Sequence, residues 1–230
     1  MYWDIVMSKI SLFLICSLFA FMPSSTSYSS EVADIEVSSN VPKKILRSSV
    51  WLSPEWLKGL GVGTGIAVSI DGRKAVLSAE HVATAMYPYL VNVCSFNNDC
   101  VPGSDTFIFD SSNSLDDDWA LYFVEEFPEN IKPARIANQD LSIGDEVWSV
   151  GMAWGESPMV VGGTVAWVNE VNGVKMYTIN GYCVPGFSGG GVFNKRGELI
   201  GVTVAIRVSE MGPQENFAIV IPISQIPLLN

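Results

Sequence analysis

Histidine is almost missing from this chain: among 230 residues there is one, His81. Cysteine is scarce as well, with four residues and no Cys-x-x-Cys pair. Structural metal sites draw on several His or Cys ligands, so this inventory leaves too few, and no metal and no cofactor is expected. Basic side chains are outnumbered, 13 Lys and Arg against 24 Asp and Glu, for a formal charge of −11. No Lys/Arg cluster interrupts that balance, and a phosphate backbone needs a basic footprint. Nucleic acid is therefore excluded as a partner. The acidic run Asp116-Asp117-Asp118 lacks the glycine and terminal Glu of an EF-hand loop. The longest apolar run, Ile10 to Met22, falls short of the roughly 20 residues that cross a bilayer. What is present is a hydrophobic content of 48% with 16% charged residues, which describes a packed globular chain and not a disordered one. Its length suits one sizeable or two-lobed domain with a real core.

The apolar run has a Lys9 before it and the small, polar stretch Pro23-Ser24-Ser25-Thr26-Ser27-Tyr28-Ser29-Ser30 after it. A basic start, a short apolar centre and small residues at the end are the parts of a secretory signal peptide. Residues 1–27 are assigned to it, with cleavage after Ser27 and with Met7 as an alternative start. An uncleaved anchor is the alternative; after cleavage no stable membrane span remains. The expected location is exported, periplasmic or extracellular. Cys16 leaves with the signal, and in an oxidising compartment Cys94 and Cys100 can close the polar turn between them. Cys183, flanked by Tyr182 and Val184, is then a buried free thiol.

Residues 28–45 read as a Ser-rich, flexible lead-in, and residues 46–230 as the folded domain. Within it, short β-rich runs alternate with Gly, Asn, Asp and Pro, and no long segment keeps a 3.6-residue period. Candidate strands are Gly63–Ile70, Lys74–Ser78, Leu90–Ser95, Thr106–Phe109, Trp119–Val124, Glu146–Met152, Met159–Val171, Val174–Ile179, Gly190–Phe193, Leu199–Ile206 and Phe217–Ile221. Asp71-Gly72 and Asn172-Gly173 are strong hairpin turns, and Arg196-Gly197 marks another turn. The expected fold is all-β, a sandwich or barrel. Helix is expected only for a turn or so after His81 and for Pro54 to Leu60. Glu125 to Asp140, with its Pro and Asn residues, reads as a linker between two β-rich halves.

Ser188 sits in Val184-Pro185-Gly186-Phe187-Ser188-Gly189-Gly190-Gly191, and glycine at this density lets a backbone approach a ligand closely. The run satisfies both Gly-x-Ser-Gly-Gly and the Gly-x-Ser-x-Gly elbow of α/β-hydrolases. A serine activated by an imidazole has only His81 to call on. In α/β-hydrolases the histidine follows the serine; here it precedes it, and crossover helices are lacking. The order left is His, Asp, Ser. Between the two, Asp118 stands directly before the apolar run Trp119-Ala120-Leu121-Tyr122-Phe123-Val124, where a carboxylate can be buried. Asp116 and Asp117 read as solvated loop charges.

These blocks resemble those of the trypsin-like (chymotrypsin-fold) serine peptidases, and most closely the HtrA/Deg-type branch. The resemblance rests on Ser78-Ala79-Glu80-His81-Val82, Asp118-Trp119-Ala120-Leu121 and Gly186-Phe187-Ser188-Gly189-Gly190, with Gly63-Thr64-Gly65 and Phe217-Ala218-Ile219 as further matches. It implies two six-stranded antiparallel β-barrels, about 46–125 and 135–230, with the active site in the cleft between them. It implies Ser188 as nucleophile, His81 as base, Asp118 as its orienting acid, and the N–H groups of Gly186 and Ser188 as oxyanion donors. Thr203-Val204-Ala205-Ile206 resembles the segment that pairs with a substrate backbone. Tyr182 and Cys183 would lie at the base of the pocket for the residue before the cut, with Val204, Ala205 and Phe217 near its walls. No carboxylate is placed to select Lys or Arg, so small or medium apolar residues are expected there. Phe187 stands where zymogen-type members carry an Asp that pairs with a new N-terminus, which argues against that mode of activation. No PDZ-like domain is expected after Asn230. The expected partners are protein or peptide substrates, with a catalytically silent peptide-binding domain or an esterase as alternatives. Only a neutral imidazole can take the serine proton, so activity is expected to rise as His81 deprotonates.

Overall fold

The computed structural model describes residues 43–54, 61–86, 91–103, 107–109, 118–171, 173–209 and 212–229. All belong to one compact unit, Val37–Asn230. Thirteen strands carry it: β1 Ser49–Pro54, β2 Gly63–Ile70, β3 Arg73–Ser78, β4 Val91–Cys94, β5 Cys100–Pro102, β6 Phe107–Phe109, β7 Ala120–Phe123, β8 Glu146–Ala153, β9 Ser157–Val171, β10 Val174–Asn180, β11 Gly191–Asn194, β12 Leu199–Ser209 and β13 Gly212–Pro222. The first seven form one sheet in the order β5-β4-β1-β2-β3-β7-β6, and the last six close into a barrel, β10-β13-β12-β11-β8-β9. The fold is all-β, a curled sheet and a closed barrel. Where the sequence led to six strands in the first lobe, the described sheet has seven, because Cys100–Pro102 adds a short edge strand to β4.

Local chemistry explains the hairpins. β2 and β3 meet at Ile70↔Arg73 across Asp71 and Gly72, whose φ values of 50° and 78° are those a two-residue primed turn needs. β4 and β5 are paired at Cys94↔Cys100, where a disulfide joins the two residues. β1 is buried at all six positions, with Val50 and Leu52 in the core and Trp51 donating its indole N–H to Ser95 O at 2.9 Å. Each such aliphatic side chain contributes about 1.5–3 kcal/mol by leaving water.

The only helix longer than one turn among the described residues is Glu80–Met86, which buries Val82, Ala83 and Met86 along one side. Pro54 belongs to β1, and the rest of the stretch expected to be helical there, 55–60, lies outside the described residues. A one-turn helix, Lys43–Leu46, spans the end of the stretch read as lead-in and the first residue of the folded domain, and its Ile45 is fully buried. The segment between the lobes crosses from one to the other through main-chain bonds. Lys132 and Ala134 donate to Arg47 O and Ala67 O of the first lobe, and Ala137 donates to Leu199 O of the second. A core cluster continues across: Phe193, Leu199, Val202, Val204 and Ile221 of the barrel pack with Val50, Leu52, Ile66 and Leu77 of the sheet. No helix among the described residues is long and apolar enough to cross a membrane.

Candidate active site

β3 and β7 are antiparallel, with Ser78 opposite Ala120. Carrying that register two residues past each strand brings Asp118 level with Glu80, next to His81. There the Asp118 carboxylate makes two bonds. Oδ2 lies 2.7 Å from His81 Nδ1, and Oδ1 accepts the His81 main-chain N–H at 2.9 Å. The second bond satisfies one of the N–H groups that the first turn of a helix leaves without a partner. Asp118 is 6% exposed, whereas the His81 side chain keeps 22% of its surface open. A buried carboxylate on Nδ1 fixes that nitrogen as the N–H and leaves Nε2 as the basic one.

Ser188 arrives from the other lobe. Its carbonyl accepts the Thr64 N–H at 2.9 Å, and the next residue, Gly189, donates to Thr203 O at 2.7 Å. Gly63 lies between the serine and the His81 helix: a Cβ there would stand 2.6 Å from Val82 Cγ1 and 3.2 Å from Ser188 O. Gly63 thus brings the Ser188 main chain and Val82 of the His81 helix near each other, and among the described residues no hydrogen bond joins Ser188 Oγ to His81.

The loop before Ser188 is a turn closed by Phe187 N–H on Val184 O at 3.1 Å. Gly186 takes its third position with φ +96°, in the left-handed region that glycine occupies without a Cβ penalty. Among the described residues, neither the Gly186 N–H nor the Ser188 N–H has a protein acceptor. Phe187 is fully buried in the barrel core, so the loop is anchored by an apolar side chain. Losing a buried Phe typically costs about 3–5 kcal/mol.

The remaining expected residues divide between two environments. Cys183 is free and buried in the barrel core, and burial pushes its thiol up to about 12, so it stays protonated at neutral pH. Thr203, opposite Val220 of that same core, is buried, and its Oγ1 has no hydrogen-bond partner among the described residues. Val204, at the register shift between Thr203 and Ala205, packs in the core that joins the lobes. Its side chain and Cys183 therefore belong to different clusters. Tyr182 is 38% exposed, while Ala205 and Phe217 are half-buried. β11 pairs with β12 only as far as Val202, and Thr203 is taken up by the serine loop. From Val204 to Ile206 the β11-side edge of β12 has no main-chain partner among the described residues.

Sequence reasoning passed over residues that shape this site. Thr64 Oγ1 donates to Gly186 O at 2.7 Å and accepts the Met152 N–H at 2.8 Å, and Trp154 donates its main-chain N–H to Pro185 O at 2.7 Å. A hydroxyl flanked by Gly63 and Gly65 on a buried strand was the available signal for Thr64. Trp154, at φ +56°, left none.

The trypsin-like peptidase domain family matches over residues 63–202, and the chain belongs to that family. No curated protein matches it in sequence. Among solved structures it is similar to the Rv3671c protease of M. tuberculosis H37Rv in an inactive form, at TM-score 0.59 and 18% identity over 79% of this chain and 86% of that one. It is similar to the MamO protease domain of Magnetospirillum magneticum at TM-score 0.62 and 17% identity, over 80% of this chain and 96% of that one. With the HtrA-type protease AlgW, bound to a tripeptide, it shares TM-score 0.62 and 18% identity over 79% of its own length, spanning 58% of the AlgW chain. At these identities the likeness is one of fold, the fold of a protease.

Proposed function

We propose that the protein is an exported serine endopeptidase that cuts peptide bonds through an acyl-enzyme. The observation that carries the reading is the grip of the buried Asp118 on Nδ1 of the only histidine, with Gly63 set between that helix and Ser188. Ser188 Oγ attacks the scissile carbonyl, His81 Nε2 takes its proton and returns it to the leaving amine, and Asp118 holds the imidazole and stabilises its charged form. The N–H groups of Gly186 and Ser188 receive the developing oxyanion, each such donor being worth about 2.7–4 kcal/mol. The open edge at Val204–Ile206 takes the substrate backbone as an added strand. The half-buried Ala205 and Phe217 and the protonated Cys183 favour small or medium apolar residues before the cut. Export is supported by the signal-like first 27 residues and by the Cys94–Cys100 disulfide.

A fluorophosphonate probe tests this. Wild-type protein is expected to label and to degrade unfolded casein, and Ser188→Ala to do neither. Folded wild-type protein that fails to label would show the domain to be silent, and ester turnover without casein cleavage would make it an esterase.

A further inference from the structure

Thr64 belongs to the first lobe, is fully buried, and spends its hydroxyl on the second. Its one proton goes to Gly186 O at 2.7 Å, and a lone pair accepts the Met152 N–H at 2.8 Å. Its main chain is engaged too: the N–H donates to Ser188 O at 2.9 Å, and the carbonyl accepts the Ser78 hydroxyl at 2.7 Å. A single residue thus bonds to the serine, to the loop before it, to the β8 end, and to the strand that leads into His81.

The turn Val184–Phe187 has proline second and a positive-φ glycine third, which makes it type II. Rotating its central peptide, Pro185–Gly186, by half a turn gives type I. That rotation carries the Gly186 N–H to the opposite face and leaves Pro185 O where the donor was. Glycine adopts either sign of φ with similar ease, so the sequence of the turn alone does not choose between them. One bond to another segment does, and a second fixes where the turn sits. The peptide before Gly186 is tied through Pro185 O to Trp154 N–H at 2.7 Å, and the peptide after it through Gly186 O to Thr64 Oγ1 at 2.7 Å.

We infer that Thr64 is a positioning residue for the Gly186 donor: by holding Gly186 O at the junction of β2 and the end of β8, its hydroxyl keeps Gly186, and with it the N–H, in place before Ser188. This rests on the serine peptidase reading. Without the hydroxyl, Gly186 O and Met152 N–H lose their partner, a costly state that a shift of Gly186 away from β2 toward water relieves.

Thr64→Val keeps the shape and removes the hydroxyl, and Thr64→Ser restores it. With full-length protein, T64V is expected to lower kcat on casein by up to about 100-fold, the lower end of what a lost oxyanion donor costs, with KM unchanged. Fluorophosphonate labelling, whose P=O enters the same donors, is expected to slow in parallel, and T64S to recover most of both. T64V that melts like wild type and labels at the wild-type rate overturns the inference while leaving the Ser188 chemistry standing. So does T64S behaving like T64V, since the methyl and not the hydroxyl then matters. Absence of labelling in wild type sinks the peptidase reading itself, and the inference with it. Should T64V fail to fold, Thr64→Cys against T64S reads the same point, a thiol being a weak donor and acceptor. Equal labelling of the two overturns the inference.

Discussion

At the residue scale, the Asp118 carboxylate has two separate jobs, one on each oxygen, and Asp118→Asn splits them. The amide oxygen can still accept the His81 main-chain N–H, which leaves the amide N–H₂ facing Nδ1. Nδ1 must then accept, so the ring proton moves to Nε2, which on the proposed reading is the nitrogen that takes the serine proton. Casein turnover by D118N is expected to fall by about 10⁴-fold, as removal of the acid's charge does in such triads, with KM and melting temperature close to wild type. A loss below tenfold would place the function of Asp118 elsewhere. The sequence displays His81, Asp118 and Ser188 because each is marked locally: by being the only imidazole, by standing at the mouth of an apolar strand, by a crowd of glycines. Thr64 is marked only by the glycines on either side of it, which say nothing of its partners. Its partners lie 88 and 122 positions away, and only the fold brings them to it.

The β11–β12 hairpin shows the same division at the scale of an element. Its turn was readable from Arg196-Gly197, but its fastening was not. Asn194 Oδ1 accepts the N–H groups of Arg196 and Glu198, and Asn194 Nδ2 donates to Glu198 Oε2 at 2.9 Å. Arg196 adds a bond from Nε at 2.7 Å, and Arg135 reaches Oε1 at 3.3 Å. The hydrogen bond from Asn194, then that from Arg196, hold the Glu198 carboxyl below its ordinary 4.5. A lowered carboxyl contributes stability above its ordinary pKa and loses it as pH falls through the lowered one. Glu198→Gln is therefore expected to melt below wild type at pH 7, and the two melting curves to converge as the pH falls through the lowered pKa; a gap that persists in acid would contradict this. β1 illustrates a different blind spot. All six of its residues are buried, so no polar alternation announces a strand, and the run ends on proline. The β9–β10 hairpin, with alternation and an Asn-Gly turn, stood out readily.

On the scale of the whole molecule, two lobes that read as separate β-rich blocks share one continuous core. Leu199, fully buried, packs with the strands of the first lobe and also bonds through its main chain to Arg135 and Ala137 of the connecting segment. The lobes should therefore unfold together, in a single calorimetric transition whose van't Hoff and calorimetric enthalpies agree. Leu199→Ala, costing about 2–5 kcal/mol, should move that one transition down without splitting it; two resolved transitions would show the lobes to be independent. The expected division into halves was visible in the Pro- and Asn-rich linker, whereas the shared core was not, because the residues that build it are separated by most of the domain. One feature of the full chain makes its chemistry unusually easy to watch. With a single imidazole in 230 residues, bound at Nδ1 to a buried carboxylate, the proton resonance spectrum of unlabelled protein contains one histidine ring system. Its shifts follow the charge on the site directly, with no isotope, no assignment and no neighbouring imidazole to subtract.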